Sequence, residues 1–409
     1  MRRHLPGFAK LADLRIGTKL GLIVAVLGLP ICALLFVQYQ DQQSATSQAE
    51  SESNGLDYVA AVMPFMREVQ LHRGLAERVL GGDEAARANM ERTAASADSA
   101  LAAITEMDKK WGSDFETREL VAFLNSEWPR ARGALSSTSE SNELHNSVMQ
   151  QGVFPLLSTI ATESKLVLDP DLDNRNVILA LTETLPRMTE ALSQMRGNGA
   201  AAMQNRQNLP ATDAQKQFLS SQMALAQFLS AQLSTQLETA MASNDRFEDG
   251  LRPILTRSST SRSSFFDSTR DSIMNTYSIS PTGAEGYFLL GGSAIDHSNL
   301  LLTTATESLK ADFDARADAA RQDFAIYGGA GLVGIVLALG LALFISATIT
   351  RPLTHLAEVA DRMSLGELDV EIDVEGDNEI GRLAESLRRM QSSLRSAIER
   401  LRQRRQAAA

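Results

Sequence analysis

The chain has 409 residues, a formal net charge of -11 and a single cysteine, Cys32. An acidic balance without a basic stripe excludes a nucleic-acid binder, and one cysteine in an apolar run excludes a disulfide framework or a Cys-based metal site. Aromatic residues make up only 5% of the chain, while Ala, Leu, Ser, Gln and Glu abound; that composition suits long helices, and no stretch reads as a β-sheet.

Residues 1–19 are basic, with Arg2, Arg3, Lys10, Arg15 and Lys19 against Asp13. Residues 20–37 then carry no charge, which predicts a first membrane helix. The run is longer than the core of a signal peptide, and Pro30-Ile-Cys-Ala offers no convincing cleavage site, so an uncleaved anchor is expected. No Lys or Arg occurs from Gln38 to Met66. The excess of positive charge before the span therefore places the N-terminus in the cytoplasm and residues 38–325 outside, in the periplasm of a cell with two membranes.

The outer segment, 38–325, is expected to form about eight to ten helices. Phe218, Leu225, Leu229, Leu233, Leu237 and Met241 line one face of one of them. Leu302, Leu309, Phe313, Ala320 and Phe324 line the last, which leads into the second span. Breaks are predicted at Gly81-Gly82, Gly112-Ser113, Ser136 to Asn142, Asp169-Pro170, Asn208-Leu-Pro210 and Ser280-Pro-Thr-Gly283. Ser258 to Ser264 reads as a loop or a weak helix. That many helices exceed one four-helix bundle and suggest two stacked or nested ones.

A short repeat points the same way. Pro64-Phe-Met-Arg-Glu68 precedes His72-Arg-Gly74, and Pro186-Arg-Met-Thr-Glu190 precedes Met195-Arg-Gly197. An arginine inside a helical bundle is costly unless an anion meets its guanidinium. Arg73 and Arg196 are thus the candidate ligand-binding residues, with His72 beside them. They either face a shared pocket that holds a small anion or organic acid, or pair with Glu68, Glu77 or Glu190 and fix the packing. No metal or cofactor is expected, because His72 has no second His or Cys at ligand spacing. Trp111 and Trp128 read as core or bundle-edge anchors. Gly81-Gly-Asp-Glu84 matches a cyclase signature by chance, since Ala85 follows and no α/β pattern surrounds it.

Residues 326–347 form the second expected span. Ala330, Gly334, Ala338, Ala342 and Ser346 recur along one stripe of it. They either allow close helix approach or reflect the general frequency of small residues in membrane helices.

From residue 348 to 401 the pattern changes. Ile349, Leu353, Leu356, Ala360 and Met363 keep a 4-3-4-3 spacing, the seam of a coiled-coil helix. Gly366 stops it, and Leu368 to Val374 alternates apolar residues with acids. Asn378 offers an N-cap for a second helix with a seam through Ile380, Leu383, Leu387, Met390, Leu394, Ala397 and Leu401. Two such helices cannot bury their seams alone, which predicts a parallel four-helix bundle in a homodimer. Residues 402–409 form a basic and Ala-rich tail.

Ile349-Thr-Arg-Pro-Leu353, Gly366 and Asn378-Glu-Ile-Gly-Arg-Leu383 together resemble a HAMP domain, the relay module of bacterial transmembrane receptors. The resemblance implies relay and packing roles for Ile349, Pro352, Leu353, Leu356, Met363, Gly366, Glu379, Ile380, Gly381, Leu383, Leu387, Met390 and Leu394. Asn378 stands where the family usually has Asp. Glu68 to Leu75 and Leu185 to Leu192 resemble the all-helical sensors of methyl-accepting chemotaxis proteins, and more weakly the nitrate- and nitrite-sensing family, where helix-borne arginines grip a small anion.

These features imply an all-α, non-enzymatic receptor of the bacterial inner membrane, with two spans, both termini cytoplasmic, and a periplasmic sensor relayed through HAMP. No catalytic constellation appears, and His355 lacks the acid-rich setting of a phosphoacceptor. The second seam runs to Leu401 as if to feed a longer signalling helix. The expectation is a truncated receptor, or one that works with a cytoplasmic output partner or a full-length receptor. The competing function is a non-sensing membrane scaffold, whose arginines would be fully paired.

Overall fold

The computed structural model describes residues 16–204, 211–274 and 283–406. Most of the basic N-terminal stretch, the expected breaks at 208–210 and 280–282, and residues 407–409 lie outside them. The described residues are helical nearly throughout and contain no strand. They divide into two compact units, Ser44–Ala319 and a second made of the residues up to Gln43 with those from Ala320.

The helices are α1 (Ile16–Leu80), α2 (Arg87–Trp111), α3 (Arg118–Gly133), α4 (Thr138–Ser147), α5 (Phe154–Glu163), α6 (Leu172–Leu179), α7 (Leu185–Gln204), α8 (Asp213–Met241), α9 (Asp245–Thr269), α10 (Gly283–Ile345), α11 (Arg351–Ser364) and α12 (Glu379–Gln406). Short π-helical turns join α4 to α5, α6 to α7 and α10 to α11, so the last two form one helix, Gly283–Ser364. Each of these turns is followed, one residue on, by a proline: Pro155, Pro186 or Pro352. A proline inside a helix removes an N–H and crowds the carbonyl four residues back; widening the preceding turn relieves both without ending the helix.

The Ser44–Ala319 unit has one contiguous apolar core, not two separate ones. Trp128, Tyr58, Phe65 and Phe247 are among its largest fully buried side chains. On α8, Leu229, Leu233, Leu237 and Met241 are buried as their spacing requires. Nearer its start the inward positions are Leu219 and Ala226, and Leu225 is exposed, because strict four-residue spacing drifts off a 3.6-residue stripe.

The break expected at Ser136 to Asn142 falls at residues 134–137, and of the two readings of Ser258 to Ser264 the helical one holds. Ser137 caps α4 by accepting from the Glu140 N–H, so the polar run from Thr138 onward is helix. Ser258 to Ser264 lies within α9, where Ser258 and Arg262 turn inward and find polar partners. By contrast, α1 stops at the expected glycines, with Gly82 at φ +100°, in the left-handed region.

A charged network ties four parts of the unit together. Arg316 on α10 reaches Asp169 at 2.6 Å, Asp171 at 2.9 Å and the buried Glu52 of α1 at 3.6 Å. Asn174 bridges Asp169 and Asp312, and Asn244 bridges Asp173 and Asp312. Asp169 is fully buried, so its charge depends on Arg316 for compensation.

In the second unit, α11, the connector and α12 form a small core of Leu356, Val359, Met363, Ile372 and Ala384. Residues 20–37 are helical within α1; the side chains at 20, 23, 24 and 27 lie outside the described residues. Among the described residues, Gly283–Ser364 is the one helix with an 18-residue window long and apolar enough to cross a membrane, and none of that window is buried. Of the small-residue stripe, Gly334 faces open space, whereas Gly331, off the stripe, packs close to Leu35 of α1.

Replacing Arg316 with Met leaves Asp169 buried without its cation. The expected loss is about 2–5 kcal/mol, toward the low end because Arg316 is partly exposed. Thermal unfolding of the solubilised chain should show it as a lowered Tm, with hydrogen exchange rising first around residues 165–175. An unchanged Tm would mean that the network is incidental.

Candidate functional site

The most polar part of the Ser44–Ala319 core lies where α1 meets α7, and the two Arg-Gly steps of the repeat meet there. A Cβ on Gly197 would collide with the Glu77 carboxylate and come within 3.2 Å of Gly74 Cα. Glycine at both positions therefore lets the two backbones approach closely. The approach buries Gln70, Arg73 and Glu77 of α1 against Glu190, Ser193 and Arg196 of α7.

The two candidate arginines have different surroundings. Arg73 is paired: Nη1 donates to Glu190 Oε1 at 2.5 Å and to Asn146 Oδ1 at 3.0 Å, and Nη2 donates to Ser193 Oγ at 3.3 Å. It thus takes the packing role and does not share a ligand pocket with Arg196. Among the described residues, Arg196 has no carboxylate within ion-pair distance, though Asp296, Glu77 and Glu190 act on it from further off. Its Nη2 donates to the Gln70 carbonyl at 3.0 Å, its Nε is buried without a partner, and its guanidinium lies 4.7 Å from the centroid of the Phe288 ring. Burial, reinforced by the nearby Arg73 charge, lowers its pKa to about 10.

Arg196 borders a cavity of about 430 Å3. Arg67 and Leu71 of α1 and Phe288, Leu289, Ile295 and Asp296 of α10 complete much of its wall. That volume falls within the range of about 300–1,000 Å3 typical of small-molecule sites.

His72 pairs with His145 of α4, which no local spacing in the sequence signals. The two rings stack, their Nδ1 and Nε2 atoms are 2.9 Å apart, and both pack edge-on against Trp128. His145 Nδ1 lies 2.7 Å from the Ser141 carbonyl. A carbonyl only accepts, so His145 Nδ1 carries a proton and donates to it. His145 Nε2 then accepts from His72 Nδ1, and both rings are neutral. Burial lowers the pKa of His72 to about 4 and that of His145 to about 3. A direct hydrogen bond between the two nitrogens leaves no room for a metal between them. Trp128 donates from Nε1 to Asp98 at 2.8 Å and acts as a core anchor; Trp111 stacks on Phe115 nearer the surface.

Glu77 is the second feature whose state sequence reasoning missed, having offered it only as a possible partner for the arginines. Its Oε1 accepts from Asn198 at 3.2 Å, its Oε2 is buried without a partner, and burial raises its pKa to about 7 against the opposing pull of Arg73. Arg262 is a third. It is fully buried, bonded to Ser230 and Ser258, and has an unpartnered Nη2 and a pKa lowered by burial to about 10.

In the second unit the packing residues fall into two sets. Leu356 and Met363 are buried, Pro352 and Leu353 are half-buried in the first turn of α11, and Ile380 and Leu387 pack against the core. Ile349, Leu383, Met390 and Leu394 remain exposed. Gly366 ends α11 at φ +95°, which favours glycine. The Asn378 side chain accepts from the Gly381 N–H at 3.0 Å, capping α12 ahead of Glu379. Gly381 sits so close to the Gly376 carbonyl that a Cβ would collide with it. Gln391 Nε2 donates to the Leu368 and Val370 carbonyls, and Arg388 to those of Ile372 and Val374, which fixes the connector on α12.

Residues 344–396 match the HAMP domain family. A putative sensory transducer protein of Acetivibrio thermocellus is 44% identical over 63 residues, and the methyl-accepting chemotaxis protein TlpB of Bacillus subtilis is 42% identical over 66. The matched stretches make up 15% and 16% of this chain but only 11% and 10% of those proteins. The structure of the NasR transcription antiterminator aligns over 88% of this chain and 93% of that one, with a TM-score of 0.50 and 14% identity. That likeness is one of fold.

The buried histidines and carboxylates give the Ser44–Ala319 unit opposing pH dependences. Below about pH 6.5 the histidines resist protonation while the unfolded chain takes up protons, so their contribution to stability falls as pH drops toward 4. Glu77 acts the other way: its stabilisation is lost as pH rises from about 4.5 through 7. Each histidine contributes a slope of up to about 1.4 kcal/mol per pH unit, opposed by Glu77 and by Glu52 and Glu68, whose pKa values burial also raises. Thermal unfolding from pH 4.5 to 8 tests this. His145→Gln should flatten the acid limb, and Glu77→Gln should steepen it.

Proposed function

We propose that residues 344–396, a HAMP domain, relay a signal from a periplasmic small-ligand sensor, and that the chain is a dimeric, non-enzymatic receptor of the bacterial inner membrane. In this reading residues 20–37 and 326–347 are its two spans, and both termini are cytoplasmic. One observation supports the sensing role: Arg196 is a buried cation with no acid within ion-pair distance among the described residues, and it borders a cavity. A bundle that served only as a scaffold would pair such a charge, as it pairs Arg73 with Glu190.

The relay follows from continuity of the backbone. Phe288, Leu289, Ile295 and Asp296 in the cavity wall belong to the helix Gly283–Ser364, which also contains the apolar window and all of α11. A ligand that binds one packing of that wall more tightly than another biases the position of α10. A coupling of about 1–3 kcal/mol is enough for a useful response. The exposed seam residues Ile349, Leu383, Met390 and Leu394 are then covered by a second copy, in a parallel four-helix bundle. Output passes to a cytoplasmic partner or a full-length receptor.

Disulfide trapping in membranes tests the dimer. In a Cys32→Ser background, Leu383→Cys should give a covalent dimer on mild oxidation. Adding Leu387→Asp should abolish it by placing a charge in the seam. Only monomer from the first variant would count against the four-helix bundle. Protease accessibility in spheroplasts tests the topology, with cleavage expected within 38–325 and protection of both termini.

A further inference from the structure

We infer that the Arg196 cavity takes a small organic monocarboxylate with a branched or aromatic apolar tail, in preference to a bare inorganic anion or a zwitterion. This rests on the reading of the cavity as the sensor site.

The guanidinium is already oriented. The Gln70 carbonyl holds Nη2 and the Phe288 ring supports the plane, leaving Nε as a buried donor without an acceptor. A carboxylate meets such a donor with a charge-assisted hydrogen bond. The charges lining the cavity set the ligand's charge. Arg196 and Arg67 oppose the single carboxylate of Asp296, one net positive charge among the Arg and Asp side chains of the wall, which a monoanion matches. Asp296 is directed to Arg67, at 3.9 Å, and is largely exposed, so it is poorly placed to hold an ammonium group.

The rest of the wall sets the tail. Leu71, Leu289, Ile295 and the edge of Phe288 are apolar, and Gly292 leaves space beside them. Leu289 is 65% exposed, a large aliphatic chain with no cover of its own. A three- or four-atom anion would satisfy Arg196 but leave these surfaces wet and most of the 430 Å3 unfilled. A four- to eight-carbon acid covers them and gains from burying apolar area.

Isothermal titration of the full chain in lipid nanodiscs tests the inference, with 3-methylbutanoate and phenylacetate as probes against their neutral amides, nitrate, acetate and L-leucine. The acids should bind saturably. The amides, lacking charge, and nitrate and acetate, lacking a tail, should bind at least roughly tenfold more weakly, as expected for loss of one charge contact or one buried side-chain-sized group. Arg196→Gln should abolish binding of the acids. Arg196 is part of the buried core, so Leu289→Asn, at an exposed position, serves as a second variant that leaves the fold intact. It should weaken the two acids by roughly threefold to tenfold and leave any nitrate binding unchanged.

If nitrate or acetate binds as tightly as the branched acid, and Arg196→Gln removes it, the inference is overturned while the sensor reading stands. Tighter binding of L-leucine than of 3-methylbutanoate also overturns it, since it would require an ammonium site. If no probe binds and the variants behave as the wild type, the cavity is not the sensor site and both readings fail.

Discussion

The structure turns on the cost of burying arginine. Between α1 and α7 the glycines bring two backbones close enough that any side chain between them loses its water, and that gap holds two guanidinium groups and two glutamates. A buried charge must be met by another charge or a full set of hydrogen bonds. Arg73 and Glu190 meet that demand in each other, and Asn146 and Ser193 complete it. Arg196 and Glu77 do not pair in this way. The cation rests on a carbonyl and an aromatic face, and the acid retains an unpartnered oxygen, its pKa raised to about 7. The helix contact is thus satisfied on one side and open on the other, next to the cavity.

The same contrast of completed and uncompleted burial recurs in the HAMP unit. The connector is held from within the chain by Arg388 and Gln391, and Leu356, Val359 and Met363 bury themselves against Ile372 and Ala384. The outer half of the heptad seam has no such cover. The connector thus has its register fixed within the chain, and in the proposed dimer the seam would answer to a partner's packing. A seam of that kind can hold two packings of similar energy, because a shift moves whole side chains between holes and not gradually along a surface.

The charged network around Arg316 and the proline-linked π turns bear on how movement at the cavity is constrained. Asp169, Asp171 and Glu52 clasp α10 at Arg316, within one turn of the last core contact at Phe313. The π turn before Pro352 keeps α10 and α11 one helix.

Much of the fold was legible in the sequence because it depends on period. The heptad seams, the apolar runs, the glycine stops at Gly82 and Gly366 and the cap at Asn378 each express a local rule, in which hydrogen bonds and left-handed backbone fall within a few residues of the signal. Even there the buried HAMP set included Val359 and Ala384, which the seam spacing had left aside. The Arg-Gly repeat also marked the right helices. What only the tertiary structure decided was the state of each polar group. His72 meets His145 across 73 residues, Arg73 meets Glu190 across 117, and Arg196 meets the Gln70 carbonyl across 126. Sequence shows that a buried arginine requires a partner, but the partner's identity is set by which helix faces it. Whether that requirement is met or left open to a ligand is decided by three-dimensional packing alone.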